Sequence, residues 1–216
     1  MSNIPKGYKQ TGVGVIPEDW EVKKLGECLK QNPEYGINAP AVVYSDSLPA
    51  YIRITDISED GKFLQDNKAS VNHFFADNYY LDEGDLVFAR TGASVGKTYL
   101  YDPADGKFVF AGFLIRVKVN PEKLNSKYLE SFTRTQSYWN WVRVMSMRSG
   151  QPGINGNKYK QLPIPLPPTK AEQTAIAHIL SDMGAEIEKL EQKLIKYRMI
   201  KQGMMQELLT GRIRLA

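Results

Sequence analysis

A long helical heptad pattern constrains the fold of this chain more than any other stretch. Between residues 176 and 208, large side chains recur at alternating steps of four and three, with one break where Lys201 takes a seam position, and proline is absent. This spacing predicts one continuous α-helix with a narrow apolar edge that requires a second helix. At 1.5 Å per residue the helix would extend roughly 48 Å, so we expect it to project. The seam residues are Ile176, Leu180, Met183, Ile187, Leu190, Leu194, Tyr197, Met204 and Leu208.

The start of this helix is marked as clearly as its length. The proline strip at residues 162–168 cannot be helical. Thr169 follows as a predicted N-cap, and Glu172, three residues on, completes a capping box. Charged residues beside the seam select the partner and its orientation. The alternative is a terminal helix that folds back onto its own domain.

Size and composition are those of an ordinary globular protein. A chain of 216 residues can form one domain of about 165 residues in addition to the helix. One cysteine, Cys28, excludes an intrachain disulfide, and the two histidines, His73 and His178, are too few for a histidine-rich metal site. The sequence shows neither an apolar leader nor a membrane span. We therefore expect a cytoplasmic protein without a membrane anchor.

Charge is distributed unevenly along the chain. Residues 1–122 carry 13 basic and 17 acidic side chains, whereas residues 123–160 carry seven basic side chains and only Glu130 as an acid, with large aromatic residues among them. Concentrated basic side chains neutralise phosphates and supply most sequence-independent affinity for nucleic acid. This segment predicts a basic face that binds nucleic acid, and the alternative is a solvated helix face of chance composition.

Runs of β-branched and aromatic residues between turn residues predict a sheet. Residues 122–147 predict a helix, and a glycine-rich loop follows at residues 149–157. The predicted fold class is α+β, a mixed, mainly antiparallel sheet with helices, followed by one long C-terminal coiled-coil helix. The predicted strands cover residues 41–44, 51–57, 85–90, 97–101 and 108–119.

Two segments are candidate DNA contacts. Residues 90–97 resemble a phosphate-binding loop, but three residues rather than four separate Gly92 from Gly96, and a predicted strand follows, which disfavours an NTPase. A loop between two strands can instead present side chains to phosphates or guanine edges, or it is a structural hairpin. In the glycine-rich loop, Gln and Asn can pair with adenine and Arg with guanine, or the loop is a polar connection. The candidates are Arg90, Thr91, Ser94 and Lys97 in the first segment and Arg148, Gln151, Asn155 and Lys158 in the second.

Nothing in the sequence predicts catalysis. Residues 32–35 resemble the tetrapeptide that holds the target amine in amino-methyltransferases, but Glu34 replaces the second proline, so we interpret them as a turn. Gly12 and Gly14 lack a preceding strand and the third glycine of a dinucleotide-binding loop. Two histidines leave no plausible Ser-His-Asp set, and no metal-ligand spacing appears. The chain is predicted to be a binding protein without catalytic or metal-binding residues.

Several motifs resemble those of specificity subunits of type I restriction-modification systems. The proline strip with Glu172 and Gln173 is the most specific of them, and the resemblance covers the whole chain. The other matching segments are residues 7–20, residues 84–97 and residues 208–214.

The resemblance implies a target recognition domain at residues 1–165, which reads one half of a bipartite DNA site. It implies a conserved spacer helix at residues 166–216, which docks adenine methyltransferase subunits. The chain itself would bind no cofactor, because S-adenosylmethionine, ATP and Mg²⁺ are used by the methyltransferase and motor/nuclease partners.

A usual member of this family has two recognition domains and two spacer helices, but this sequence has no internal repeat. We therefore expect a half-length subunit, or a fragment of a longer one, that forms an antiparallel homodimer through residues 172–210. The alternative is a coiled-coil interaction protein whose basic surface binds an acidic partner.

Overall fold

The computed structural model describes residues 4–215, which divide into two compact units, the first ending at Thr174 and the second beginning at Ala175. The described helices are α1 Ser126–Phe132, α2 Gln136–Ser146, α3 Gly156–Tyr159 and α4 Lys170–Leu209. The described strands are β1 Tyr8–Thr11, β2 Gly14–Pro17, β3 Glu21–Lys24, β4 Glu34–Tyr35, β5 Ala41–Val43, β6 Ala50–Ile52, β7 Ala69–Val71, β8 Leu86–Ala89, β9 Thr98–Leu100, β10 Phe108–Phe110, β11 Leu114–Val117 and β12 Pro163–Leu166. The predicted α+β class with a long C-terminal helix is confirmed.

An antiparallel sheet with the strand order β4-β11-β8-β9 forms the centre of the first unit. Every residue of β8 and β11 is buried, including Arg116. A continuous buried run indicates that other elements cover both faces of these strands. Arg116 is accommodated because its guanidinium lies 2.7 Å from the Glu34 carboxylate and 3.4 Å from the Asp85 carboxylate, and a buried charge requires such partners.

A second sheet, β10-β6-β7-β5, includes one parallel pair, β10 with β6. The prediction of one strand over residues 108–119 is wrong, because a turn separates β10 from β11. The Leu114 N–H donates to the Ala111 carbonyl at 2.8 Å and closes this turn, which carries the chain from one sheet to the other. Gly36 packs against it, and a Cβ there would lie 2.3 Å from the Ala111 carbonyl oxygen. The turn therefore requires glycine at position 36.

The strand predicted over residues 51–57 is also too long, since β6 ends at Ile52 and Ile54–Asp56 form a 3-10 turn. The buried Asp56 carboxylate accepts hydrogen bonds from the Arg53 N–H at 2.9 Å and from its guanidinium at 2.7 and 2.8 Å. These bonds stabilise the turn, and the chain therefore leaves the sheet after Ile52 and does not continue as a strand to residue 57.

The single helix predicted over residues 122–147 is two helices, α1 and α2. Thr133 Oγ1 donates to the Glu130 carbonyl at 2.6 Å, and Thr135 Oγ1 accepts a hydrogen bond from the Tyr138 N–H at 3.3 Å as the N-cap of α2. Threonine side chains that bond the backbone in this way compete with helical hydrogen bonds. Thr133 also shares a buried hydrogen bond of 2.8 Å with Thr98 of β9, which fixes the break against the central sheet.

The strand β3 near the start of the first unit pairs antiparallel with β12 near its end. β1 and β2 form a local hairpin at Gly12 and Gly14, so a strand does precede these glycines, contrary to the prediction, but a second strand rather than a helix follows them. The proline strip is not helical, as predicted: Ile164 and Leu166 are buried and alternate with half-buried prolines, as in a strand with one covered face. The Trp20 indole N–H donates to the Glu172 carboxylate at 3.3 Å.

The helix α4 begins where the sequence predicts. The Glu172 N–H donates to Thr169 Oγ1 at 3.2 Å, which confirms Thr169 as the N-cap, while the Glu172 carboxylate is engaged by Trp20. The helix continues for 40 residues. In the second unit, the seam side chains between Leu180 and Met204 are each 45% or more exposed. Within residues 4–215, no helix is both long and apolar enough to cross a membrane.

Candidate nucleic-acid interface

The first candidate segment is a hairpin between β8 and β9. Gly92 and Gly96 have positive φ angles of 72° and 91°, and a strand rather than a helix follows Lys97. At Gly96 a Cβ would lie 2.7 Å from the Val142 side chain, so the hairpin packs directly against α2. The predicted strand-loop-strand arrangement is confirmed, and contact with α2 fixes its shape.

The hairpin and the glycine-rich segment are hydrogen-bonded to each other. Thr91 and Gly153 form an antiparallel β-bridge, and the Thr91 hydroxyl donates to the Pro152 carbonyl at 3.3 Å. The Ile154 N–H donates to the Arg90 carbonyl at 2.9 Å. The residue types of each segment marked it as a candidate, but no local pattern in the sequence predicts their contact. The structure therefore brings together the two groups of candidate residues.

In the glycine-rich segment, three of the four candidate side chains support the local backbone. Arg148 Nε donates to the Gly153 carbonyl at 2.9 Å. Asn155 Oδ1 accepts a hydrogen bond from the Lys158 N–H at 2.8 Å and caps α3, and Lys158 Nζ donates to the Met145 carbonyl at 2.6 Å. Gln151 is exposed beside the hairpin, where a Cβ at Gly92 would lie 3.1 Å from its amide nitrogen. These positions remain predicted contacts, and Gln151 is exposed without a role in supporting the local backbone.

In the hairpin, the candidate cations differ in their surroundings. Lys97 Nζ lies 2.7 Å from the Glu59 carboxylate, and its side chain is only 16% exposed. Ser94 is partly buried, and its carbonyl accepts a hydrogen bond from the Lys97 N–H at 3.0 Å. A phosphate would have to displace Glu59 before it could bind Lys97.

Arg90 lies instead over an aromatic ring that sequence reasoning missed. Its guanidinium carbon is 4.9 Å from the centre of the Tyr35 ring, and Tyr35 OH accepts a hydrogen bond from the Gly156 N–H at 3.0 Å. The interpretation of residues 32–35 as a turn is wrong at its second half, because Glu34–Tyr35 form β4 and pair with β11. Pairing with a strand about 80 residues away leaves no local signal, since a strand of two residues has no periodicity.

The aromatic residues of the basic segment belong mainly to the core. The Tyr138 hydroxyl donates to the Gly96 carbonyl at 2.6 Å and the Tyr159 hydroxyl to the Ala89 carbonyl at 3.0 Å. Burial raises the pKa of both tyrosines well above the usual value, so they remain protonated donors. These two tyrosines hold the backbone of the hairpin in place from the protein core. Because their rings are buried, they offer no surface on which a nucleic-acid base could stack. The buried aromatic residues of the segment are Tyr128, Phe132, Tyr138 and Tyr159.

The basic side chains of this segment are only partly available to a ligand. Arg134 pairs with Glu130 at 3.1 Å, and Lys160 Nζ donates to Asn32 Oδ1 at 2.8 Å. Lys127 and Arg143 are exposed. Among residues 4–215, no three His, Cys, Asp or Glu side chains are grouped so that they could hold a metal ion.

Two curated proteins that are similar to this chain are about twice its length or more. The chain is 30% identical to the MjaX type I restriction enzyme specificity subunit of Methanocaldococcus jannaschii over 95% of its own length and 49% of that protein. It is 27% identical to the EcoKI specificity subunit of Escherichia coli over 79% of its length and 36% of that protein. The chain thus spans about half the length, or less, of these curated relatives.

Solved structures share the fold. The HsdS subunit from Thermoanaerobacter tengcongensis superposes with a TM-score of 0.63 at 19% identity, covering 88% of this chain and 48% of that one. The type I S subunit from M. genitalium gives a TM-score of 0.56 at 16% identity, over 87% and 45% of the two chains. The family model described as type I restriction modification DNA specificity domain matches residues 17–197. With most of its length covered by that model, the chain belongs to the type I restriction modification DNA specificity domain family.

Proposed function

We propose that this chain is a DNA specificity subunit, which recognises one half of a bipartite DNA site for a type I restriction-modification complex. The match of the family model to residues 17–197 carries this proposal. The joined hairpin and glycine-rich segment support it, because a composite surface of backbone, amide and guanidinium groups can contact both phosphates and base edges.

In this proposal the chain is not an enzyme. It positions adenine methyltransferase subunits, which use S-adenosylmethionine, and a motor/nuclease subunit, which uses ATP and Mg²⁺. We expect the complex to act on DNA in the cytoplasm. The alternative, a coiled-coil interaction protein, is less favoured because the family match extends over the recognition unit as well as the helix.

The exposed seam of α4 supports a dimeric arrangement. Apolar side chains at heptad spacing require another helix, and a second copy of the same helix running antiparallel would cover them. Two copies related by a twofold axis would then recognise two identical half-sites in inverted orientation, with a spacer of fixed length between them.

Methylation-sensitive sequencing of DNA modified by the chain together with its methyltransferase partner tests this proposal. We expect one methylated bipartite sequence with inverted half-sites and a constant spacer, because the two recognition units are held apart by the paired helices. The matched control is the methyltransferase alone. Equal methylation patterns with and without the chain would contradict the proposal.

The salt dependence of DNA binding separates the proposal from the alternative. Binding through phosphates weakens linearly in a plot of log affinity against log salt concentration, because bound counterions are released. If the affinity of the complex for duplex DNA did not change with salt concentration, the result would favour the alternative of a coiled-coil interaction protein.

A further inference from the structure

We infer that Tyr35 is a positioning residue for DNA recognition, which holds the Arg90 guanidinium ready for a phosphate or a guanine edge. This inference rests on the proposed function and assigns a role to a side chain outside the eight candidate positions. Three observations carry it: the sheet register, a second contact of the same tyrosine, and the distribution of charge around Arg90.

The sheet register places the tyrosine and the arginine on one face. Ile115 of β11 pairs with Tyr35 on one side and with Phe88 on the other. Arg90 follows Phe88 by two residues, and alternate residues of a strand point to the same face. The guanidinium accordingly lies 4.9 Å from the centre of the Tyr35 ring, within the range of a cation–π contact. The arginine is therefore oriented before DNA binds.

The other end of the same tyrosine contacts the second recognition segment. Its hydroxyl accepts a hydrogen bond from the Gly156 N–H at 3.0 Å, at the first turn of α3. A Cβ at Gly156 would lie 3.3 Å from Pro33 and 3.6 Å from Tyr35 OH, so the backbone approaches β4 closely. One side chain thus contacts both segments that are predicted to bind DNA.

The charge of Arg90 is left uncompensated by this arrangement. Within residues 4–215, no carboxylate pairs with its guanidinium, whereas Lys97 is paired with Glu59 and Lys158 donates to a backbone carbonyl. An aromatic ring attracts and orients a cation without cancelling its charge. Fixing a long side chain before binding reduces the ordering cost at the moment of binding. Arg90 therefore combines a fixed orientation with a free charge.

The test is a double-mutant cycle in the complex of the full chain with its methyltransferase partner. The ligand is a fluorescein-labelled duplex DNA that carries the mapped methylation site, and affinity is measured at several salt concentrations. The variants are Tyr35→Leu, Tyr35→Phe, Arg90→Ala and the double variant Tyr35→Leu/Arg90→Ala. Tyr44→Leu is the matched control, because Tyr44 is 42% exposed and Tyr35 is 43% exposed.

We expect Arg90→Ala to weaken binding about tenfold, and to reduce the salt slope by about one if the arginine contacts a phosphate. Tyr35→Leu should weaken binding in the same way, and the double variant should bind no more weakly than Arg90→Ala alone, because the tyrosine acts through the arginine. Tyr35→Phe retains the ring beneath Arg90 but removes the acceptor of the Gly156 N–H. It should keep the wild-type salt slope, which separates the contact with Arg90 from the hydrogen bond to Gly156. Tyr44→Leu should bind like the wild type.

A cooperative thermal unfolding transition in each variant shows that the variant is folded at the temperature of the binding measurement. If Tyr35→Leu is not folded, Tyr35→Met takes its place. Wild-type affinity in Tyr35→Leu, or losses that add in the double variant, would overturn the positioning role while the proposed function stands. Wild-type affinity in Arg90→Ala would remove both residues from the interface. Absence of site-specific methylation by the wild-type complex would instead overturn the proposed function and this inference with it.

Discussion

At the scale of single residues, close approaches between distant segments decide where elements end. Gly36 shows this best: the residue is unremarkable in the sequence, yet it faces two backbone carbonyls of the turn between β10 and β11. Such a requirement arises only when two segments meet, so propensity and periodicity could not predict it. The same reason explains why Tyr35 was missed while Arg90, which ends a strongly apolar strand, was recognised as a candidate.

Replacing Gly36 with alanine should lower the free energy of unfolding by about 2 kcal/mol or more, because overpacking displaces the turn. The added Cβ would lie 2.3 Å from both the Phe110 and the Ala111 carbonyl oxygens. Denaturant unfolding followed by circular dichroism measures the change. Gly150→Ala is the matched control, since nothing lies within 4 Å of a Cβ there, and its stability should be unchanged. Equal stability of the two variants would show that the turn can accommodate the added methyl group at position 36, contrary to the prediction.

At the scale of elements, patterns within a single segment predicted the long helix and the longer buried strands, but not the strands whose pairing is set by other segments. The heptad spacing identified α4, and the proline strip with Thr169 identified where it begins. The apolar runs identified β5, β8 and β9, and they included β10 and β11 in one predicted strand, because these signals lie within each segment. The strands β4, β7 and β12 are two to four residues long and pair with strands that are distant in the sequence. The parallel pair β10 with β6 was missed because strand direction depends on the path of the chain between them.

The N-cap of α4 gives the test at this scale. Thr169→Ala removes the acceptor of the Glu172 N–H and should lower the free energy of unfolding by about 1 kcal/mol. Thr169→Ser retains the hydroxyl and should unfold like the wild type. Thermal or denaturant unfolding of the three proteins makes the comparison. If both variants lose the same stability, the threonine methyl group matters and the cap does not.

At the scale of the whole molecule, the apolar seam of α4 governs the proposed assembly. Leu190 and Leu194 are 55% and 48% exposed and lie at successive seam positions. Changing both to aspartate places two charges in the proposed helix interface, so we expect a monomer. Size-exclusion chromatography with light scattering measures the mass, which should fall to half that of the wild type.

The matched control changes Gln192 and Lys196 to aspartate, because these positions lie away from the seam on the same helix turns. This variant should retain the wild-type mass. An unchanged mass for the Leu190 and Leu194 variant would show that the seam is not the dimer contact.

The candidate interface was predicted in parts and not as a whole. The sequence identified the hairpin and the glycine-rich segment from their residue types, but their hydrogen-bonded contact joins positions about 60 residues apart. Local patterns carry no information about such a contact. Separate hydrogen bonds show that Arg148, Asn155 and Lys158 support the local backbone, and residue type alone does not distinguish this role from one in binding DNA.

The pairing of β3 with β12 has a consequence for how this protein can evolve. The strand β3 lies beside β12, and the Leu25 N–H donates to the Leu162 carbonyl at 2.8 Å next to them. The segment between these two strands contains most of the first unit. Genetic exchange with joints in these two strands would transfer Tyr35, the hairpin and the glycine-rich segment together from one parent. A crossover between residues 91 and 153 would instead combine halves that have never been selected to bond each other. Under the proposed function, we therefore expect new DNA specificities to be inherited as complete blocks.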